Sequence, residues 1–181
     1  MNFIHHLNLK NLKYSFLNKF LYKKSNEIPK LKKIILNIGC KNLELKELAT
    51  NLLALELITS QKSKITTTKY SNVLLKIRKG NPTGCKVILR KTKMFNFLFK
   101  LLIETFPKQK KFTGFNITKK FKKKTFSYKL KNALNFNELE NHYYLFNNLS
   151  SIDITFVTNA TKKHELILIL KSFKFPLNKQ I

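Results

Sequence analysis

The stretch LKIRKGNPTGCKVILR, residues Leu75–Arg90, decides the fold class that we predict. Apolar and cationic residues alternate on both sides of Gly80–Gly84, a segment whose glycine and proline content is typical of a turn. Two alternating runs joined by a turn predict a β-hairpin. Its polar face carries the cations Lys76, Arg78, Lys86 and Arg90.

Strand-like alternation also occurs outside this hairpin. Leu31–Ile38 alternates until Gly39 ends the pattern, and the segment from Ile152 to Phe156 alternates in the same way. Thr125–Leu130 shows a weaker version of the pattern. Each of these segments is predicted to be a strand. The polar segment Ser60–Ser71 is predicted to be a connector.

Helical periodicity separates the predicted strands. In Leu43–Ile58 leucines recur at intervals of three and four, which predicts a helix with one apolar stripe on the core. The members of this stripe are Leu45, Leu48, Leu52 and Leu55. A second helix is predicted over Lys91–Phe106, with Pro107 marking its end, and a third from an N-cap at Thr161 to Phe173.

Together these segments predict an α+β fold, in which an antiparallel sheet packs against helices and carries the basic β-hairpin. Residues 27–181 are predicted to form a single domain of this class. Residues 1–26 contain no acidic residue and have apolar residues at helical spacing, which predicts a basic helical extension. A mitochondrial presequence is the alternative for this segment, although its lack of arginine counts against that interpretation.

The charge of the chain indicates a polyanionic partner. It has 36 Lys and Arg against nine Asp and Glu, a formal net charge of +27, yet 43% of its residues are hydrophobic. A folded, strongly basic protein is therefore expected. Lysine greatly outnumbers arginine, as expected for an A+T-biased genome. The positions of the cations are therefore better evidence for a polyanionic partner than their number. Residues 57–137 hold 21 cations and one acidic residue, Glu104.

Several other classes of protein are excluded by the sequence. No apolar run reaches the roughly 18 residues that a membrane-spanning helix requires. The four histidines are scattered, and Cys40 and Cys85 provide neither a disulfide framework nor a four-cysteine zinc site. Gly80–Lys86 superficially resembles a phosphate-binding loop, but its glycine spacing is one residue short and Val87 replaces the magnesium-binding hydroxyl. We therefore predict neither an enzyme nor a bound cofactor or metal.

The residues around the predicted hairpin suit RNA better than they suit catalysis. Gln61–Lys64 and Thr66–Lys69 combine amide and hydroxyl groups with cations, the mixture that contacts phosphates and ribose 2′-hydroxyls. For the cations alone, a merely solvated face remains the alternative. The run Lys119–Lys124 is equally compatible with solvation and with RNA binding.

Several segments, in order along the chain, resemble large-subunit ribosomal protein L five. They are IPKLKKIILNIG (Ile28–Gly39), LITSQK (Leu57–Lys62), KIRKGNPTGCKV (Lys76–Val87), FTGF (Phe112–Phe115), IDIT (Ile152–Thr155) and FKFP (Phe173–Pro176). The resemblance implies a structural constituent of the central protuberance of the large ribosomal subunit, with an antiparallel sheet backed by helices. It further implies binding to 5S rRNA and neighbouring large-subunit rRNA, with Asn37 and Gln61 at RNA-bonding positions. The full set expected to bind rRNA is Asn37, Gln61, Lys62, Lys64, Thr66, Lys69, Lys86 and Arg90.

The resemblance implies two further contacts. A loop is expected to touch the peptidyl-site tRNA, with the residues Lys76, Arg78, Lys79, Gly80, Asn81, Pro82, Thr83 and Gly84. A bridge to a protein of the small-subunit head is expected at Phe112, Thr113 and Gly114. Neighbouring central-protuberance proteins are the remaining expected partners.

The A+T-biased composition, combined with a bacterial-type pattern, favours an organellar ribosome, and we predict the mitochondrion rather than a plastid. Two other functions stay open at this point. A non-specific organellar nucleic-acid-binding or chaperone protein would need only the charge. A membrane-surface protein would use the amphipathic segment 1–26, although we expect no membrane partner.

Overall fold

The computed structural model describes residues 12–20, 22, 24–40, 45–74, 77–110, 112–116, 122 and 124–178. Lys76, residues 1–11 and most of the run 119–124 lie outside this part of the chain, so the predictions made for them lie outside the described residues as well.

Among the described residues, seven strands fall into two sheets. Their bounds are β1 Leu31–Gly39, β2 Lys64–Thr67, β3 Pro82–Leu89, β4 Phe115–Asn116, β5 Thr125–Leu130, β6 Ile152–Thr158 and β7 Leu177–Asn178. Five of them form one sheet in the order β2–β3–β1–β6–β5, in which β3 is antiparallel to both β1 and β2. The short strands β4 and β7 pair in parallel as a second sheet. The predicted α+β fold with an antiparallel sheet and helices is confirmed.

The helices lie between these strands. They are α1 (residues 12–19), α2 Leu45–Thr59, α3 Lys91–Lys100, α4 Phe106–Lys108, α5 Asn137–Glu140, α6 Tyr143–Phe146 and α7 Lys163–Ser172, with 3₁₀ turns at Ser25–Glu27 and Ala133–Asn135. A π turn, Leu101–Thr105, joins α3 to α4. In the described part of the chain, no helix has both the length and the apolar character that crossing a bilayer requires.

The chain divides into two compact units. The first comprises residues 33–112 and 128–155, and within it α2 packs against β3. Its core contains Ile34, Leu36 and Ile38 from β1 and Cys85, Val87 and Leu89 from β3, all buried. The second unit comprises residues 1–32, 113–127 and 156–181, and its core contains the packed rings Phe115, Phe126, Phe156 and Phe175.

The predicted hairpin is wrong in both its pairing and its turn. β3 pairs with β2, which arises from the segment predicted to be a connector. Of the predicted first strand, the described residues Ile77 and Arg78 lie outside the strands. Pro82–Gly84, predicted to be turn residues, are the first residues of β3. The pairing with β2 is extended by Thr68, whose N–H donates to the Asn81 carbonyl (3.0 Å) and whose hydroxyl donates to the Arg78 carbonyl (2.7 Å). These bonds hold residues 78–81 against the end of β2.

Two details of the predicted helices also differ. The leucine spacing predicts Leu45 on the buried stripe of α2, but it is 76% exposed, because the buried face is formed by Leu48, Asn51, Ala54, Leu55 and Ile58. Lys162 rather than Thr161 is the N-cap of α7. The Glu165 carboxylate replaces the expected hydroxyl cap by accepting the N–H of Thr161 at 2.8 Å and that of Lys162 at 3.3 Å.

Candidate RNA interface

Asn37, Lys86 and Lys64 form a row across three neighbouring strands, which we call the sheet-face row. Asn37 of β1 pairs with Lys86 of β3, and Lys86 pairs on its other side with Lys64 of β2. Alternate residues of a strand share a face, and the residues next to Lys86 in β3 are buried in the core. The row therefore faces solvent, with both lysines exposed and Asn37 half-buried.

Gln61 is held beside this row by its own hydrogen bond. It follows α2 directly after Ser60, whose φ of 50° turns the chain out of the helix. The Gln61 side-chain amide then donates to the Ile88 carbonyl of β3 at 3.1 Å. Its Oε1 has no hydrogen-bond partner among the described residues and is therefore available as an acceptor. A fixed amide of this kind can accept a ribose hydroxyl or a base amino group.

A shallow pocket of about 220 Å³ joins Gln61 to the cations. Its lining residues are Gln61, Lys62, Lys64, Lys86, Val87, Ile88 and Arg90. Exposed cations together with apolar lining residues suit a group that is anionic on one side and flat or apolar on the other. A nucleotide, with its phosphate and its sugar or base, has this character.

Three carboxylates of this unit, those of Glu56, Glu138 and Glu140, are bonded to groups outside the set of pocket cations. Glu138 and Glu140 pair with Lys100 and Lys108, each at 2.5 Å. Glu56, the acid nearest in sequence to the pocket, accepts the N–H of Ser63 at 3.0 Å and its hydroxyl at 3.2 Å. Within the described ranges, no carboxylate lies within ion-pairing distance of the four cations that line the pocket. Their positive potential is therefore left for an external anion.

Thr66 and Lys69 occupy different positions relative to the row. Thr66 pairs with Gly84 across the β2–β3 ladder, one step along from the row, and is half-buried. Lys69 is exposed but lies beyond the end of β2, in the segment that leads out to Asn72. The structure thus brings together Asn37, Gln61, Lys62, Lys64, Lys86 and Arg90, with Thr66 next to them, and leaves Lys69 at the periphery.

The segment predicted to contact tRNA is divided by the structure. Arg78 and Lys79 are exposed in a turn that Gly80 completes with a φ of 90°, whereas Pro82–Gly84 belong to the sheet. Gly84 permits the close approach of β1, because a Cβ atom there would collide with the Ile38 carbonyl oxygen. The role of Gly84 is therefore to allow strand packing rather than to form a flexible loop.

Sequence reasoning missed the outer end of the β2–β3 connection. Asn72 and Ile77 form an isolated antiparallel bridge through two backbone bonds of 2.9 and 3.0 Å. Before and within this small turn, Tyr70, Val73 and Leu74 are almost fully exposed. Val73 and Leu74 are adjacent apolar residues, and no sequence signal shows that they face solvent.

The residues predicted for the subunit bridge differ in their surroundings. Phe112 stacks on Phe106, with ring centroids 5.1 Å apart. Thr113 is exposed. Gly114 has a φ of 97°, and a side chain there would meet the Asn178 amide. The bridging role of these three residues stays a prediction.

Comparison with known proteins identifies the family. The model of the C-terminal region of the ribosomal protein L five family matches residues 82–177. The chain is 38% identical over 171 residues to the large ribosomal subunit protein uL5m of Reclinomonas americana, which covers 93% of this chain and 94% of that relative. It is 36% identical over 174 residues to the large ribosomal subunit protein uL5 of Wigglesworthia glossinidia brevipalpis, covering 94% and 96% respectively. The chain therefore belongs to the ribosomal protein L five family, as a non-enzymatic structural constituent of the large subunit of the mitochondrial ribosome.

Proposed function

We propose that the sheet-face row and the adjoining Gln61 pocket bind 5S rRNA and the neighbouring large-subunit rRNA. The observation that carries this proposal is the placement of Lys64 directly opposite Lys86, next to Asn37. Two like charges opposed across a ladder disfavour the free fold. A bound polyanion removes that penalty, so the arrangement suits a protein that works on RNA.

We assign different roles to the charged and the uncharged side chains of the site. Lys62, Lys64, Lys86 and Arg90 supply charge to phosphates, which fixes position without reading sequence. Asn37 and Gln61 are uncharged, and their amides lie on rigid elements, so they supply directional hydrogen bonds to sugars or base edges. Specificity for a particular RNA surface is therefore assigned to these two amides.

We assign the remaining contacts to other parts of the chain. The exposed turn at Arg78 and Lys79 meets the peptidyl-site tRNA through weak electrostatic contacts that allow release. Thr113 and its neighbours Phe112 and Gly114 face a small-subunit head protein across the bridge. Proteins of the central protuberance contact the rest of the exposed surface.

A comparison of double variants tests the main assignment. Asn37→Ala with Gln61→Ala is measured for 5S rRNA affinity against a control in which two lysines of the run 119–124 become alanine. The amide variant removes no charge, yet we expect it to lose more affinity, roughly tenfold or more, if each amide bond is worth about 1 kcal/mol. Circular dichroism checks that both variants fold.

The same titration distinguishes the alternative function. A non-specific nucleic-acid-binding protein loses affinity with charge alone and binds duplex DNA and unrelated RNA as well as 5S rRNA. Equal losses in the two variants, or no preference for 5S rRNA over an unrelated RNA of the same length, would contradict the assigned surface.

A further inference from the structure

The solvent-facing side of α2 is apolar along its length. Leu45, Ala49, Leu53 and Leu57 are all exposed, and the three leucines are 76%, 45% and 36% accessible respectively. Their spacing of four residues places them in one continuous row, which we call the leucine ridge. The opposite side of the same helix is buried on the core. Packing on the core requires one apolar face, but α2 has two.

The leucine ridge is apolar, although the chain as a whole is rich in lysine. Lysine and arginine make up 36 of the 181 residues, and an A+T-biased genome readily places lysine at unconstrained exposed positions. Within α2, however, Lys46 is the one cation, whereas four exposed positions hold leucine or alanine. Exposed leucines in a continuous row are the usual signature of a surface that another macromolecule covers.

The chemistry of the ridge favours a protein as that macromolecule. RNA is bound through cations and through polar or aromatic groups, none of which the ridge itself supplies. A second copy of this chain is disfavoured because each copy carries a net charge of +27. From Leu45 to Leu57 the ridge is about 18 Å long, which matches three turns of a partner helix.

We infer that the leucine ridge of α2 is the docking site for an amphipathic helix of a neighbouring large-subunit protein. Rows of side chains four residues apart pack into the grooves of a facing helix in the commonest mode of helix packing. Lys46 is exposed near one end of the ridge, and Lys93, which donates to the Ser60 carbonyl at 2.9 Å, lies near the other. The partner helix therefore presents an apolar stripe with carboxylates towards its ends.

A photo-crosslinking amino acid at position 53 of the full chain, incorporated into mitochondrial large subunits, tests this inference. The matched control carries the same group at position 17, because Leu17 of α1 has the same 45% exposure as Leu53. We expect position 53 to give one dominant adduct with a large-subunit protein. The adduct peptide, sequenced by mass spectrometry, should carry apolar residues at helical spacing and flanking acidic residues.

Three outcomes would overturn the inference: an adduct with rRNA, an adduct with a second copy of this chain, or a yield no higher than at position 17. A second variant, Leu53→Lys with Leu57→Lys, provides an independent readout against Leu17→Lys. Charging Leu53 and Leu57, two of the three leucines of the ridge, should deplete the crosslinked protein from the subunit by roughly tenfold or more. The affinity of the isolated variant for 5S rRNA should be unchanged. Loss of RNA affinity together with unchanged partner occupancy would contradict the inference. RNA affinity and partner occupancy are measured separately, so the test of the leucine ridge does not depend on the assignment of the RNA site.

Discussion

Lys64 and Lys86 lie directly opposite each other across the β2–β3 ladder, on the solvent-facing side of the sheet. Residues opposed in this way have Cβ atoms about 4.5–5.5 Å apart, so the two side chains share one small region of surface. In the described part of the chain, no carboxylate pairs with either lysine. The isolated protein therefore carries a local repulsion that a bound phosphate backbone relieves.

We expect Lys64→Gln to stabilise the free protein and to weaken its binding to RNA. Removing one of two opposed like charges should raise the free energy of unfolding by about 0.2–1 kcal/mol at low salt. The slope of log affinity against log salt should become shallower by roughly 0.7–0.9, because one phosphate contact is lost. Urea denaturation and a salt series of RNA titrations measure these two effects.

Lys129→Gln is the matched control for this prediction. Lys129 is an exposed lysine of β5, on the opposite edge of the five-stranded sheet from Lys64. Its substitution removes the same charge but should leave the salt slope unchanged. Equal slopes for both variants would show that total charge, rather than the sheet-face row, determines binding.

Gly84→Ala should destabilise the sheet. A Cβ atom added at position 84 would collide with the Ile38 carbonyl oxygen. Gly84 and Ile38 lie on paired strands, so their backbones cannot move independently. We expect a loss of about 1–3 kcal/mol in the free energy of unfolding, as for other overpacked sites. Gly39→Ala is the control, since a Cβ there meets no atom within 4 Å. Denaturation midpoints that fall equally in the two variants would argue against the close approach at Gly84.

Charge reversal in the exposed turn, Arg78→Glu with Lys79→Glu, should impair tRNA positioning and leave the subunit assembled. The Arg78 backbone is held by the Thr68 hydroxyl, so the two side chains can change without altering the turn. Losing one charged contact costs about 1.5 kcal/mol, which corresponds to roughly tenfold weaker binding of peptidyl-site tRNA. Gradient sedimentation and tRNA filter binding measure the two properties, and a failure of subunit assembly would contradict this division of roles.

Stability should fall in alkaline solution partly because of Cys85. Burial raises the pKa of the Cys85 thiol to about 12, with a smaller contribution from nearby Cys40. Above the ordinary thiol pKa of 9.0 the unfolded chain loses this proton while the folded chain keeps it. The stabilisation is therefore complete below pH 9 and is lost as pH rises towards 12, with a slope of at most about 1.4 kcal/mol per pH unit.

Urea denaturation at pH 8, 9 and 10 of the wild-type protein and of Cys85→Ala measures this effect. The variant should be less stable overall, because a small cavity is left, but its stability should decline less steeply above pH 9. Tyr22, whose pKa burial likewise raises to about 12 from 10.0, is present in both proteins and cancels from the comparison. Parallel pH profiles would show that Cys85 titrates normally.

Strong apolar alternation made part of this fold predictable. From Ile34 onwards in β1, and throughout β6, every second side chain is buried, so the sequence pattern and the burial pattern coincide. β2 was missed because Lys64–Thr67 is polar and lies at the sheet edge, where burial imposes little alternation. Its β-branched residues, Ile65 to Thr67, were the available signal. The mistaken hairpin arose because periodicity locates strands without specifying their partners.

The candidate site depends on strand pairing, which sequence periodicity does not specify. The alignment of Asn37, Lys86 and Lys64 is a consequence of register, which the linear spacing of the three residues does not contain. Asn37 and Gln61 were proposed through the family resemblance, whereas the lysines followed from charge. The leucine ridge was hidden for a related reason, since leucine periodicity indicates a helix but cannot distinguish a buried face from a docking face.

Directed hydroxyl-radical probing tests the central claim most directly. A Lys86→Cys variant, carrying an iron chelate on the new thiol, is incorporated into mitochondrial large subunits, and the wild-type protein treated in the same way corrects for reaction at Cys40. We predict cleavage concentrated in 5S rRNA, with weaker cleavage in the adjoining large-subunit rRNA. Cleavage that is absent from 5S rRNA, or no stronger than in the wild-type control, would contradict the assignment of the sheet-face row as the RNA-binding surface.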